Sequence, residues 1–111
     1  MNDCTQTEKI RRLNDCFRRS MVLGGSVLLT PGVSSLAPER LADLLTAVRE
    51  FEAFTQDNDP YGEHDFGSIE LVSTTYFFKV DYYDLSKTAA SPDPVDPAQT
   101  HRVMTIMRAD E

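Results

Sequence analysis

The sequence predicts one α+β domain, with two helices packed on one face of a small, mostly antiparallel sheet in the order α-β-α-β-β-β. Two segments repeat apolar residues at helical spacing. Four short segments are rich in β-branched and aromatic residues, and three of these are consecutive. The 111 residues are enough for one domain and too few for two. We therefore expect residues 1–111 to fold as a single unit.

The first helix is predicted from Thr5 to Met21. Thr5 and Glu8 match the S/T-x-x-E capping box that marks a helix start. The face expected to be buried carries apolar residues three and four positions apart: Ile10, Leu13, Phe17 and Met21. The other side carries a basic stripe that we expect to face solvent: Arg11, Arg12, Arg18 and Arg19.

The Gly24-Gly25 pair is expected to end this helix and to lead into a short buried strand from Ser26 to Thr30. The Pro31-Gly32 pair then predicts a turn. A second helix is predicted from Pro38 to Phe54, because proline suits the first helical turn and apolar residues recur at helical spacing: Leu41, Leu44, Leu45, Val48 and Phe51.

The next two strands are predicted as a hairpin, from Phe66 to Val72 and from Tyr76 to Tyr83. The connection is expected at Thr74 and Thr75. This pair lacks the Gly or Asn that a two-residue turn prefers, so a wider loop is the alternative.

The alternation of side chains predicts the register of this hairpin. Setting Ile69 opposite Val80 makes one face apolar, and it places Glu70 opposite Lys79 as a cross-strand ion pair. A shift of one residue would place charged side chains among apolar ones. We therefore predict the first register.

The predicted register brings Asp65 level with Asp84 at the open end of the hairpin. Two facing carboxylates repel each other unless solvent separates them, a proton is shared, or a cation or donor-rich partner neutralises them. These two residues are therefore the candidate metal ligands. Together with His64 they are the candidate catalytic residues.

The segment from Ser86 to Thr100 is predicted as a loop, because its three prolines remove backbone donors. The closing run from Arg102 to Arg108 is rich in β-branched residues and predicts a strand, with a short helix as the alternative.

Five blocks of the sequence stand out: NDPYGEHDFG at 58–67, FFKVDYYD at 77–84, SPDP at 91–94, RVMTIM at 102–107 and LTPGV at 29–33. They resemble the signature blocks of a small bacterial family of domains of unknown function. The resemblance implies a single bacterial cytoplasmic domain, and it implies neither an activity nor a set of site residues.

The loop from Asp57 to Ser68 partly matches a calcium-binding EF-hand loop, with suitable residues at positions one, three, six and nine: Asp57, Asp59, Gly62 and Asp65. However, Tyr61 replaces the ligand at position five, and Ser68 replaces the bidentate glutamate at position twelve. The residues that follow predict a strand instead of a helix. We therefore do not expect an EF-hand site.

A different metal site defines the alternative function, a small metal-assisted hydrolase or nuclease that uses Asp65, Asp84 and His64. Carboxylates can hold a divalent cation that in turn binds phosphate, and Asp59 and Glu63 are close in sequence. No cofactor is predicted from the sequence, although a divalent cation would fit this alternative.

His64 and His101 are candidate general bases, but neither accompanies a recognisable nucleophile motif. The loop at 58–67 also has a purely structural interpretation, which we favour. Its Asp and Asn side chains can bond backbone amides, and its proline and glycines suit tight turns.

The net charge of −7 is one-sided, because residues 1–56 sum to zero and residues 57–111 carry all of it. This asymmetry favours a noncatalytic acidic module, either a binding or an inhibitor module, that docks a basic protein surface. Mimicry of nucleic acid is one form of this, whereas direct binding of nucleic acid is disfavoured by the negative field. The carboxylates expected to contact the partner are Asp57, Asp59, Glu63 and Asp81.

Cys4 and Cys16 are expected in or just before one helix, about 18 Å apart, which is too far for a disulfide. Two unpaired thiols suit a reducing compartment. The sequence has no long apolar run and no signal-peptide pattern, so we expect a cytoplasmic protein that does not enter the membrane.

Overall fold

A computed structural model describes residues 5–111, which form three helices and one four-stranded sheet. The elements are α1 (Gln6–Ser20), β1 (Gly25–Leu29), α2 (Pro31–Ser34), α3 (Pro38–Arg49), β2 (Phe66–Leu71), β3 (Thr74–Tyr83) and β4 (His101–Arg108). The strand order, which the sequence leaves open, is β1-β4-β3-β2. Only the β1–β4 pair is parallel, so the predicted class of a mixed, mostly antiparallel α+β fold is confirmed.

The start of α1 is the capping box that the sequence predicts. The Glu8 amide donates to the Thr5 hydroxyl at 3.1 Å, and the Thr5 amide donates to the Glu8 carboxylate at 2.9 Å. The last helical residue is Ser20, and the cap residue Met21 adopts the left-handed conformation with φ of 61°, so the helix ends before the predicted Gly24-Gly25 pair. Cys16 is exposed and free, whereas Cys4 lies outside the described residues.

The helix α3 ends at Arg49, five residues earlier than predicted. The guanidinium of Arg18 donates to the carbonyls of Val48 and Phe51, each at 3.1 Å, and so satisfies acceptors at the end of the helix. Phe51 still packs against the core from a non-helical segment. The Pro31-Gly32 turn also differs from prediction, because it belongs to the one-turn helix α2.

One face of the sheet builds the core. Along β4 the side chains alternate between buried and partly exposed, and β3 shows the same alternation over its middle. The inward side chains pack with residues of α1 and α3 in one cluster, whose fully buried members are Phe17, Val33, Leu44, Val48, Phe78, Met104 and Ile106. None of the helices in residues 5–111 is long and apolar enough to cross a membrane.

The predicted register of the hairpin is wrong. The turn is Val72-Ser73, with φ of 50° and 62°, and Ile69 pairs with Tyr76 instead of Val80. Each residue of β2 therefore pairs four residues earlier on β3 than predicted. Because four is even, the faces of both strands remain as predicted.

The predicted Glu70–Lys79 ion pair is consequently absent from this hairpin. Glu70 lies opposite Thr75 and accepts a 2.7 Å hydrogen bond from its hydroxyl, while Lys79 lies 3.4 Å from Asp81. A valine with positive φ is uncommon in a turn, so turn propensities did not point to Val72.

The packing of Gly67 also favours the observed register. Gly67 lies opposite Phe78, and a Cβ atom at Gly67 would overlap the Phe78 ring and come within 2.9 Å of the Phe51 ring. The aromatic ring occupies the space that a side chain would need. The segment 86–100 forms the predicted loop, apart from an isolated bridge between Tyr83 and Ala90.

Candidate functional site

The acidic loop at 55–65 packs against the polar side of α1. The Nε of Arg11 donates to the carbonyl of Gly62 at 2.6 Å, and the Nδ2 of Asn14 donates to the carbonyl of Glu63 at 3.0 Å. Most of the chemically active side chains singled out from the sequence lie on this loop or beside it. The polar side of α1 thus supports the loop through the loop's backbone carbonyls.

His64 is held between two carboxylates. Its Nδ1 lies 2.9 Å from a carboxylate oxygen of Asp15, and its Nε2 lies 3.8 Å from Asp59. The ring stacks on Phe54 with centroids 3.8 Å apart and planes 4° apart. The backbone at His64 has φ of 57°, and its amide donates to Asp59 at 3.1 Å. These contacts fix the loop to α1.

Arg18 is buried, which corrects the prediction that it faces solvent with the other arginines of α1. Its Nη1 lies 2.9 Å from Asp15, and its guanidinium lies over the rings of Phe54 and Phe78. Burial alone would raise the pKa of Asp15. The hydrogen bonds from Arg18 and His64 outweigh burial, so the pKa of Asp15 lies below its ordinary value.

A second polar network lies beneath the same loop, centred on the buried Asn14. Its Nδ2 donates to the hydroxyl of Tyr82 at 2.7 Å, and its Oδ1 accepts from the Nε of Arg102 at 2.7 Å. The Tyr82 hydroxyl donates to Glu63 at 2.7 Å. Burial, reinforced by the bond to the Glu63 carboxylate, raises the pKa of Tyr82 well above its ordinary value. The tyrosine therefore stays neutral at physiological pH.

The structure does not bring Asp65 and Asp84 together. The carbonyl of Asp65 accepts from the amide of Val80, so Asp65 lies beside Val80 and not beside Asp84, which follows the last residue of β3. The Asp84 carboxylate accepts from the Ser86 hydroxyl at 2.9 Å and the Thr88 amide at 3.1 Å. These bonds lower the pKa of Asp84.

Asp65 has the opposite electrostatic environment. Burial, together with the nearby carboxylates of Glu63, Asp59 and Asp81, raises the pKa of Asp65. Across residues 5–111, no group of three His, Cys, Asp or Glu side chains is arranged to hold a metal ion. The geometry therefore offers the proposed metal-assisted reaction no preformed centre in this part of the chain.

The four carboxylates predicted to contact a partner differ in exposure. Asp57 is exposed, whereas Asp59 is buried and bonded to the loop backbone. Glu63 is half-buried against Tyr82, and Asp81 lies beside Lys79. Asp57 is therefore the most accessible member of this set.

The outer face of the sheet is a feature that the sequence reasoning did not identify. Every side chain on this face is partly or fully exposed, and its apolar members lie outside the core cluster: Leu28, Phe66, Phe77, Val103 and Met107. Phe66 and Phe77 contact each other, with ring centroids 5.1 Å apart. The available signal was the run FFK in β3, which puts an aromatic residue on each face of the sheet.

Comparisons with the curated proteins and with the solved structures give no match to this chain. A family model described as "Protein of unknown function (DUF3768)" matches residues 29–111. The matched segment contains β2, β3 and β4, and it leaves out α1. Because it covers well over half of the sequence, the chain belongs to this family.

Proposed function

We propose that the chain is a noncatalytic binding module that docks a basic protein surface on the outer face of its sheet. The observation that carries this proposal is the apolar patch on that face, which no element among the described residues covers. Antiparallel sheets commonly leave one face solvated, but that face is then usually polar. A patch of aromatic and aliphatic residues on it suits an interaction surface.

The composition of the patch suits a protein partner. In register across β4 and β3, Met107 lies beside Phe77, and Phe66 contacts Phe77 from β2. Aromatic residues and methionine are enriched at protein interfaces. Aromatic side chains bury much area with few rotatable bonds, and methionine adapts its shape to the partner surface. Lys79 lies on the same face of the sheet and is paired with Asp81, so the two side chains together add little net charge beside the patch.

The charge around the patch supports a basic partner. Residues 57–111 carry the whole net charge of −7, and these residues include three of the four strands. Of their four basic residues, Arg102 is buried, while Lys79 and Arg108 are paired with aspartates. The remaining surface of this half is therefore acidic, and it attracts a positively charged protein.

We infer a bacterial cytoplasmic setting for this module. An exposed free thiol at Cys16 suits a reducing compartment. The bacterial source rests on the resemblance of the sequence blocks.

The test is a titration of the isotope-labelled protein with a synthetic basic peptide in which lysine alternates with leucine, followed by amide chemical shifts. We expect the shifts to fall on β3 and β4. We also expect binding to weaken as NaCl is raised from about 50 to about 300 mM, because salt screens surface charge. An acidic peptide of the same pattern is the matched probe and should bind far more weakly.

Two variants locate the surface. Phe77→Ser should weaken binding about tenfold, as expected for an aromatic residue at the centre of an interface. Leu23→Ser removes an exposed apolar side chain from the segment after α1, away from the sheet face, and should leave binding unchanged. Salt-insensitive binding, equal loss in both variants, or concentration-dependent self-association through the same face would contradict the proposal.

A thermal-shift screen with Mg²⁺, Mn²⁺, Ca²⁺ and Zn²⁺ separates this proposal from the metal-assisted hydrolase. A cation that binds only the native state raises the melting temperature. We expect no rise. A rise that Asp65→Asn abolishes would favour the hydrolase instead.

A further inference from the structure

The two edge strands of the sheet differ in charge. Within residues 5–111, β2 pairs only with β3 and β1 pairs only with β4, so each has one free edge. β2 carries the exposed Glu70 and belongs to the half of the chain that holds the whole net charge of −7. β1 has no charged residue, and none occurs between Arg19 and Glu39. Charged side chains on an edge strand oppose pairing with another strand, and β1 lacks this protection.

The free edge of β1 presents backbone groups that can pair with a further strand. The amide of Thr30 donates to the carbonyl of Ile106 on β4 at 3.1 Å, and successive residues of a strand turn their backbone groups to alternate sides. The N–H and C=O groups of Gly25, Val27 and Leu29 therefore point away from the sheet. No loop or helix of residues 5–111 provides a backbone partner for them.

The side chains of β1 are also incompletely covered. None of its five residues is buried, whereas Gly67 and Ile69 of the other edge strand are. Val27 and Leu29 contact the core and stay partly exposed, and Leu28 is 56% exposed on the outer face. A strand added at this edge would cover apolar surface as well as satisfy backbone groups.

We infer that β1 pairs with β1 of a second copy of this chain, so that two four-stranded sheets join into one sheet of eight strands. A two-fold axis perpendicular to the sheet makes the two β1 strands antiparallel, and it closes the assembly at two copies. The pairing uses the edge of the sheet and leaves Phe66 and Phe77 free. The inference therefore does not depend on the proposed docking face.

The outward groups of β1 define the register of this pairing. Val27 lies opposite Val27 of the second copy, and Gly25 lies opposite Leu29. These three antiparallel pairs exchange two hydrogen bonds each, about six in total. On the outer face Leu28 lies opposite Ser26 and diagonal to the Leu28 side chain of the second copy, within reach of an apolar contact.

The distribution of charge favours a second copy as the partner. The neighbouring strand β4 contains no Asp or Glu, and the two β2 strands would lie roughly 34 Å apart, seven strand spacings. Charges at that distance are screened at a Debye length of about 8 Å. The Glu111 carboxylate accepts from the Gly32 amide just beyond β1, and antiparallel pairing puts the two copies of this carboxylate at opposite ends. The acidic parts of the two copies therefore stay apart.

The test combines sedimentation velocity with amide hydrogen exchange over about a 100-fold range of protein concentration. We expect the mass to rise from one chain to two chains. The amides of Val27 and Leu29 should exchange at least about fivefold more slowly at high concentration, because they become hydrogen-bonded. The amides of Ser68 and Glu70 on the other edge strand are the internal control, and their exchange should not change.

Two variants disrupt the edge in different ways. Val27→Pro removes the central outward N–H and leaves the hydrogen bonds to β4, and it should weaken the dimer at least about tenfold. Leu28→Lys places two ammonium groups near each other across the axis and should weaken the dimer about tenfold. This second variant changes an exposed side chain, so it keeps the inference testable if Val27→Pro fails to fold.

Two control variants separate the edge from other surfaces. Val72→Lys adds the same charge at a similarly exposed position in the turn after β2 and should leave dimer formation within about twofold. Phe77→Ser should also leave it unchanged. A single-chain mass at every concentration, or equal effects of Leu28→Lys and Val72→Lys, would overturn the inference. Loss of the dimer in Phe77→Ser alone would also overturn it, and would place self-association on the outer face.

Discussion

Replacing Asn14 by alanine should destabilise the protein far more than the loss of one polar side chain suggests. The Asn14 side chain is fully buried and makes three hydrogen bonds, to the carbonyl of Glu63, the hydroxyl of Tyr82 and the Nε of Arg102. Alanine removes all three bonds at once. Tyr82 keeps its bond to Glu63, but the Nε–H of Arg102 loses its acceptor in a buried position.

The expected loss can be worked from these contacts. Two bonds between neutral partners contribute about 1 kcal/mol each, and a buried donor of a charged group left without a partner costs about 1–3 kcal/mol. The free energy of unfolding should fall by about 3–5 kcal/mol in Asn14→Ala, which is a large part of the 5–15 kcal/mol typical of a domain. With a typical m-value of about 2 kcal/mol/M, the urea midpoint should fall by about 2 M.

A double-mutant cycle measures the coupling directly. The double variant Asn14→Ala/Arg102→Met no longer contains the unpaired Nε–H of Arg102. Its loss of stability should therefore be smaller than the sum of the two single losses, by about 1–3 kcal/mol. Gln99→Ala is the control, because its exposed amide makes one bond to Asp96 at 2.8 Å and should cost less than about 0.5 kcal/mol. A loss below about 1 kcal/mol for Asn14→Ala, or strict additivity in the cycle, would refute the reasoning.

Two further predictions concern packing and pH. Gly67→Ala should lower the free energy of unfolding, measured with urea, by about 2 kcal/mol or more, because the new methyl group would overlap the Phe78 ring. Gly32→Ala is the control and should lower it much less, because its methyl group meets only the flexible ends of side chains. Asp65→Asn should stabilise the protein at pH 7, because a raised folded-state pKa disfavours the charged form. This gain should vanish below about pH 4, where the carboxyl is protonated in both states. Asp84→Asn should instead destabilise the protein at pH 7. The lowered pKa of Asp84 means that its charged form stabilises the folded state, and this stabilisation is lost as the pH falls.

The glycine variants and the Asp65 variant each have an outcome that would contradict the prediction. Similar losses for the two glycine variants would mean that the hairpin relaxes around Gly67 and that the register does not depend on this close approach. A stability difference between wild type and Asp65→Asn that stays constant with pH would mean that Asp65 titrates as in the unfolded chain.

Local patterns predicted much of the fold. The capping box at Thr5 and Glu8 marked the start of α1 correctly, because it involves groups only three residues apart. The alternation of apolar residues predicted the inward faces of β2 and β3, because a strand places successive side chains on opposite faces. The end of α3 was missed, since it depends on Arg18, 30 residues from Val48.

The candidate site was predicted less well than the fold. The loop carrying His64 was singled out correctly as the segment where polar groups gather, but its partner Asp15 lies 49 residues earlier. Asn14 and Arg102 were not identified, because nothing in their neighbourhood along the chain shows that they meet. The run FFK signalled one outward aromatic residue, Phe77, but the apolar outer face as a whole was visible only once the strand order was known.

The sequence by itself determined where the four strands and the two longer helices lie to within a few residues, apart from the end of α3. It also determined which faces of β2 and β3 point toward the core, and where the excess negative charge lies. These properties depend on spacing within a few residues and on composition. Only the tertiary structure decided the register that separates Asp65 from Asp84, the burial of Arg18 and Arg102, and the exposure of one sheet face. These depend on contacts between residues distant in the chain, and the free energy of those contacts is shared among many partners that no local pattern specifies.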